Sequence, residues 1–375
     1  MNNIMDNKKL DRGLEFIMDR IDRNIKTYRS YVFPASQSRN YHYPLYPNYE
    51  WTPGFWTGMI WLAYELTGDN KYRDVALGQM QSYRQRMVDR VCIDTHDIGF
   101  IYSLSCVASY KLTGSEFDKQ TAIMAADHLI TRFHEKGKFI QAWGTMGSAG
   151  NRRLIIDCLL NIPFLFWATE ATGDEKYKYV ADNHLRTALS VITRPDYTTH
   201  HTYFFDPETG APLYGQTAQG ANDDSCWARG QAWGVTGTAL NYKYVPEAFV
   251  MENHTKITDT FMAKLPKDFV PYWDMDFVPE DNEPRDTSAS AIAACGILEM
   301  AKYNKNETHM ECVKNMLEAL VDNYLSDKSQ YANGILSDGM YSRPGGDVPE
   351  SNLWGDYFFF EALMRIKKPD IKLYW

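Results

Sequence analysis

The chain has 375 residues, 44% hydrophobic and 23% charged, a balance that gives an ordinary globular protein ample core. Its net charge of −9 comes without any block of Lys or Arg, which argues against nucleic acid or an acidic membrane surface as partner, since both need a basic footprint. No apolar stretch reaches the roughly 18 residues of a membrane span, while aromatic residues stand at 14%, an excess common where ring faces pack on sugars.

The first 26 residues interleave charges throughout, which predicts an amphipathic helix and lacks the apolar run of a signal peptide. The cysteines, at 92, 106, 158, 226, 295 and 312, show no paired spacing and read as free thiols of a reducing, cytoplasmic compartment.

From residue 61 a phrase recurs: WLAYELTGDNKY (61–72), ASYKLTGSEF (108–117), WATEATGDEKY (167–177) and a weaker LEMAKYNKNETH (298–309). Each reads as an apolar helix closed by a left-handed glycine (Gly68, Gly114, Gly173), followed by a side chain that caps the next helix (Asp69, Ser115, Asp174). That is a tight αα-hairpin, and the spacing leaves room for about six. Between the hairpins run segments rich in Gly, Trp and acids: NYEWTPGFWTG (48–58), DTHDIGF (94–100), QAWGTMGSAGNRR (141–153) and GQTAQGANDDSCWARGQAWG (215–234). A closed ring of hairpins gathers such loops at one end. Strand signals are few, with HTYFFDP (201–207) a short candidate. With no linker or composition break, residues 1–375 are expected to form a single all-α domain, an (α/α)6 barrel of six helical hairpins.

The stretch 153–167, RLIIDCLLNIPFLFW, is apolar all round and predicts a buried helix with Asp157 inside it. Pro163 should kink that helix or mark its true start, which would put Asp157 in the entering turn. Burial raises an aspartate's pKa, as a proton donor requires; a capping or hydrogen-bonded structural Asp is the plain alternative. Asn161 lies one turn on, on the same face. Asp97 in THDIGF opens a second apolar segment beside His96, and a simple N-cap is again the plain alternative. Two carboxylates facing one aromatic cavity are the minimum for acid–base work on a glycoside. Asp223, Asp224, Asp274, Asp276 and Asp286 look like acids of solvated loops. Trp51, Trp143, Trp227 and Trp233 fall on Gly-rich connections, where sugar stacking is as natural as core filling, and Arg229 could grip a carboxylate with both arms or form a surface salt bridge. The nine His form no metal-ligand spacing, and there is no phosphate-binding or nucleophile-elbow motif; neither a metal nor a nucleotide cofactor is expected.

WTPGFWTGMIWLAYELTGD, HDIGFIYSLS, IQAWG, RLIIDCLLNIPFLFWA, HTYFFDPETG, QTAQGANDDSCWARGQAWG, RDTSASAIAACGILE and WGDYFFFEALMR follow one another in an order that resembles the unsaturated glucuronyl hydrolases of glycoside hydrolase family 88, from about residue 45 onward. Residues 1–45 match weakly beyond the helix. The resemblance implies an enzyme without metal or cofactor that acts on oligosaccharides ending in a Δ4,5-unsaturated uronic acid, as polysaccharide lyases leave them. It also implies hydration of the C4=C5 double bond. An acid protonates C4, water adds at C5, and the hemiketal opens to expel the remaining sugar. Asp157 matches the family's general acid/base and Asp97 its second carboxylate. His201, Gln219 and Arg229 match polar contacts, Arg229 one to the uronate, and Trp51, Trp143, Trp227 and Trp233 match aromatic walls; His96, which could donate a hydrogen bond to Asp97, is expected to join the substrate contacts. The loop 342–352, which in this family helps choose the second sugar and its sulfation, has no pattern that maps. A monomer or weak dimer is expected. An unsaturated rhamnogalacturonyl hydrolase, a sugar epimerase on the same barrel, and a non-catalytic glycan-binding repeat protein are the other readings; the epimerase would need a catalytic His pair that the sequence does not suggest.

Overall fold

In the computed structural model, which describes residues 4–326, 331–371 and 374–375, the TGD phrases turn the chain as their residues dictate. Gly68, Gly114 and Gly173 end their helices at φ 72°, 75° and 75°, and Asp69, Ser115 and Asp174 then accept a backbone N–H of the next helix. In the fourth, weaker copy Asn306 caps without a glycine before it, accepting from Thr308 and His309.

Helix α1 (Asn7–Asn24) shows the amphipathic pattern in its buried Leu10, Leu14, Ile17 and Ile21. The following hairpins are α2 (Pro53–Thr67) with α3 (Asn70–Val88), and a rod of α4 (Ile98–Tyr102), a π-helical turn (Ser103–Val107) and α5 (Ala108–Thr113) with α6 (Glu116–Ile130). Then come α7 (Cys158–Thr172) with α8 (Glu175–Ile192), α9 (Ala228–Tyr242) with α10 (Ala248–Ala263), α11 (Thr287–Met300) with α12 (Glu307–Asn323), and finally α13 (Leu353–Lys367), which packs on α1. The first member of each pair is buried nearly all round, and these inner helices touch in a closed circuit: α2, α4–α5, α7, α9, α11, α13 and back to α2. This is an (α/α)6 barrel. Because every inner-to-outer turn is short and every return is long, the inner helices all begin at the same end. The long returns gather there.

The described strands are short and belong to those returns: β1 (Phe33–Pro34) with β2 (Leu45–Tyr46), β3 (Phe133–His134) with β4 (Phe139–Ile140), and an antiparallel trio of β5 (Arg153–Ile155), β6 (Thr202–Phe205) and β7 (Pro212–Gln216). β5 corrects the expected helix over 153–167: Arg153 pairs with Phe204 and Ile155 with Thr202, and the helix begins only at Cys158. Pro163 lies inside α7 and deprives the Leu159 carbonyl of its helical donor; Asn241 of α9 supplies the missing N–H at 2.6 Å. At the opposite end of the axis Trp375 closes the barrel. Its ring stacks on Phe358 at 5.9 Å, lies 6.0 Å from Phe100, and donates to Glu361 at 3.0 Å.

Nothing surrounds the place where a Cβ on Gly173 would sit, so Gly173→Ala carries only the cost of a left-handed L-residue, about 1–2 kcal/mol. Urea unfolding should show a loss of that size; unchanged stability would mean that the turn does not hold this conformation in solution.

Candidate active site

The long returns enclose a cavity of about 250 Å³ over the N-terminal end of the inner helices. All ten residues singled out in the sequence border it. Asp97 and Asp157 are the N-cap residues of adjacent inner helices α4 and α7, yet neither caps with its side chain. One buried residue fixes them together: Asn161 accepts the Phe100 N–H at 2.7 Å and donates to the Asp157 carbonyl at 3.1 Å. Gly99 permits that contact, since a Cβ there would stand 2.5 Å from Asn161 Oδ1. The carboxyls are 16% and 14% exposed, and His96 Nε2 lies 3.4 Å from each. One ligand-type atom from each of His96, Asp97 and Asp157 falls within 4.8 Å of the other two.

Like groups this close in a nearly dry site do not share the same charge state. Burial, then the Asp97 charge and a hydrogen bond to Asp97, hold the Asp157 carboxyl well above the usual carboxylate range. The α7 N-terminus opposes this, but such a dipole is worth about 2 kcal/mol at most, whereas desolvating a carboxylate costs several. Burial and the neighbouring Asp97 thus both act to keep the proton on Asp157. Burial also depresses His96, against the pull of Asp97, so the imidazole is neutral. Neither of its nitrogens has a hydrogen-bond partner among the described residues, and Asp157 Oδ1 has none either. The donation to Asp97 expected of His96 is therefore unmade, and these three buried polar atoms are unpaired among the described residues. A metal on these three donor atoms would require Asp157 to be ionised.

The walls are aromatic. Trp51 packs on Phe100 and Trp354 and donates to the Tyr341 hydroxyl at 3.0 Å. Trp227 and Trp233 are buried, while Trp143 is 38% exposed at the rim. His201 lies over Trp227 at 4.2 Å and accepts the Ala218 N–H at 3.0 Å. Burial, followed by Arg229 and Arg153, pushes its pKa down to about 3. Arg229 borders the cavity with its fork turned to protein: Nη1 donates to Asp286 and the Met340 carbonyl, Nη2 to Gln219 and the Tyr341 carbonyl. This corrects the picture of Asp286 as a solvated acid, because it is fully buried as the partner of Arg229. Asp274 is likewise buried and accepts from Ala221 and Ser225. Tyr341, Ile155 and Ala218 also line the cavity and escaped the sequence reading. Tyr341 sits in no recurring pattern, and the other two are too ordinary to stand out.

A ring of helices whose loops enclose paired acids and stacked aromatics defines the class of an (α/α)6-barrel glycosidase. The profile of Glycosyl Hydrolase Family 88 matches residues 24–361, and the chain belongs to that family. It is 43% identical over 373 residues to the unsaturated chondroitin disaccharide hydrolase of Streptococcus agalactiae, covering 98% of this chain and 93% of that one. It is 40% identical over 360 residues to the unsaturated glucuronyl hydrolase of Bacillus sp. strain GL1, covering 94% and 95%. The crystal structure of the unsaturated glucuronyl hydrolase from Streptococcus agalactiae superposes with a TM-score of 0.96 at 42% identity, covering 99% of this chain and 94% of that one.

The raised pKa has a stability counterpart. A carboxyl that holds its proton more tightly in the fold favours folding fully below the ordinary aspartate value of about 4, and that contribution is lost as pH rises through the raised value. Asp157→Asn never pays for ionisation, so its Tm should gain on wild type as pH climbs from 5 to 8. A pH-independent difference between the two melting curves would refute the protonated state.

Proposed function

We propose that this protein is an unsaturated glucuronyl hydrolase that removes the non-reducing-end Δ4,5-unsaturated glucuronic acid from lyase-generated oligosaccharides of the glycosaminoglycan or gellan type. The supporting observation is a buried carboxyl, Asp157, that lines an aromatic cavity beside a second acid, with its pKa held well above the usual carboxylate range and one oxygen without a partner among the described residues. The double bond is an enol ether, so C4 is its basic carbon. Asp157 gives its proton to C4. Positive charge then develops at C5 and the ring oxygen, where the adjacent Asp97 carboxylate stabilises it by a fixed charge that needs no reorganisation. Asp157, now ionised, takes a proton from water as the water's oxygen bonds to C5. The resulting hemiketal opens and releases the second sugar with its oxygen. No outside oxidant or reductant is consumed.

The remaining residues divide between walls and hydrogen bonds. Trp51, Trp227 and Trp233 pack the buried ring, and exposed Trp143 meets the leaving sugar at the rim. His96 and His201, both neutral, and Gln219 serve sugar hydroxyls. Arg229 holds Gln219 and the Tyr341 backbone in place. We take residues 1–375 as one catalytic domain, cytoplasmic and monomeric or weakly dimeric, working without metal or cofactor. Among the described residues no helix is long and apolar enough to cross a membrane.

The unsaturated uronate absorbs in the near ultraviolet, and purified protein should bleach that absorbance on chondroitin, hyaluronan, heparin or gellan lyase products, before and after dialysis against a chelator. Absorbance unchanged on all four sinks the reading; bleaching of pectin-derived disaccharides alone moves it to the rhamnogalacturonyl class. Asp157→Asn should lower kcat by at least about 100-fold, as loss of a general acid does. Asp97→Asn removes the charge that helps keep the proton on Asp157, so the residual activity should lose its alkaline side at lower pH than wild type. An alkaline limb that stays in place would separate Asp97 from the proton.

A further inference from the structure

The rim of the cavity carries a cation that the chemistry above leaves unused. Successive residues of a strand face opposite ways, so Arg153 and Ile155 of β5 share a face. Ile155 lines the cavity, which places Arg153 on the same side, four residues ahead of Asp157. Its guanidinium carbon stands 4.6 Å from the centre of the Trp143 ring and 5.3 Å from that of Phe204. Among the described residues no carboxylate stands within ion-pair distance of it, and its buried Nε has no acceptor.

The contrast with Arg229 is instructive. That guanidinium has both Nη atoms engaged by protein and its charge met by Asp286 at 3.1 Å. Among the described residues, the Arg153 guanidinium is met by rings. A cation–ring contact holds a guanidinium less strongly than an oxyanion gripped by two parallel N–H groups. Its charge reaches into the cavity, being one of the causes that depress His201. The site otherwise offers two acids and an Arg–Asp pair that is already neutral, an unfavourable field for an anionic substrate.

We propose that Arg153, carried on Trp143, is the oxyanion receptor of this site. It takes a carboxylate or sulfate of the saccharide: either the uronate carboxylate that every substrate carries, or an anionic group on the sugar that leaves past Trp143. The assignment rests on the hydrolase reading for the identity of the saccharide, and on geometry alone for the anion.

Two measurements test it with Arg153→Gln and Arg153→Lys. In the first, sodium sulfate is titrated calorimetrically into substrate-free protein at constant ionic strength. Wild type should bind it, Arg153→Gln should bind at least about 10-fold more weakly, and Arg153→Lys should fall between, as a point charge lacking the fork. In the second, kcat and KM are measured on unsaturated disaccharides with and without a sulfate on the second sugar. Arg153→Gln should raise KM about 10-fold with kcat within about 3-fold of wild type, since uniform binding is lost. An equal rise on both substrates assigns the uronate carboxylate, and a rise confined to the sulfated one assigns the second sugar. Unchanged sulfate binding with unchanged KM overturns the proposal, as does a fall in kcat at constant KM. The calorimetric arm needs no turnover. Protein that bleaches no unsaturated saccharide, yet loses sulfate binding in Arg153→Gln, would sink the hydrolase reading and leave the anion site standing.

Discussion

Everything at the top of this barrel depends on the closeness of Asp97 and Asp157, and that closeness is enforced by backbone. The two carboxyls head neighbouring inner helices, and Asn161 ties the start of α4 to the start of α7 through one accepted and one donated hydrogen bond. Such a tie has a discrete geometry, unlike apolar packing, which tolerates a slide of an ångström. Gly99 is its complement, the bare backbone against which Asn161 lies. Held this way, the backbones that carry the two acids stay side by side. The electrostatic tension is built in by the fold.

The rest of the molecule keeps that arrangement dry and rigid. Below it, Phe100 is wedged between Trp51 and Trp233 on the cavity side and Trp375 at the closed end of the axis. The chain's last ring thus bears on the helix that Asp97 begins. Beside it, Arg229 ties α9 to the backbone of Met340 and Tyr341, and its buried charge is balanced by Asp286 at the head of α11. A buried pair of this kind is weak evidence for stability, because desolvation offsets much of its attraction. Its use here is positional, fixing a long return against two inner helices.

Local rules made the hairpins legible. A glycine that must turn left-handed and an Asp or Ser that must cap act within five residues of each other, so TGD could be read without knowing the fold. Asp157 was legible for a different reason, as a charge in a run with no polar face. What stayed hidden depends on partners far along the chain. Asp286 looked solvated because Arg229, 57 residues earlier, is what buries it. β5 looked helical because its apolar residues are shared with α7, and only pairing with β6, about 50 positions on, makes it a strand. Tyr341 carries no signal at all until Trp51 is seen to donate to its hydroxyl.

The two acids also show how one fold sets equal side chains to unequal tasks. Both sit at helix N-termini, where the dipole favours a negative charge by about the same amount, so the dipole does not tell them apart. Their neighbours do. Asp97 accepts the Thr95 hydroxyl at 2.7 Å. Asp157 Oδ1 accepts from nothing, and its nearest ring, His96, is too poorly aligned to help. Environments that push two carboxyls apart are what assign acid and anion, and here burial and the neighbouring Asp97 are what hold the proton on Asp157.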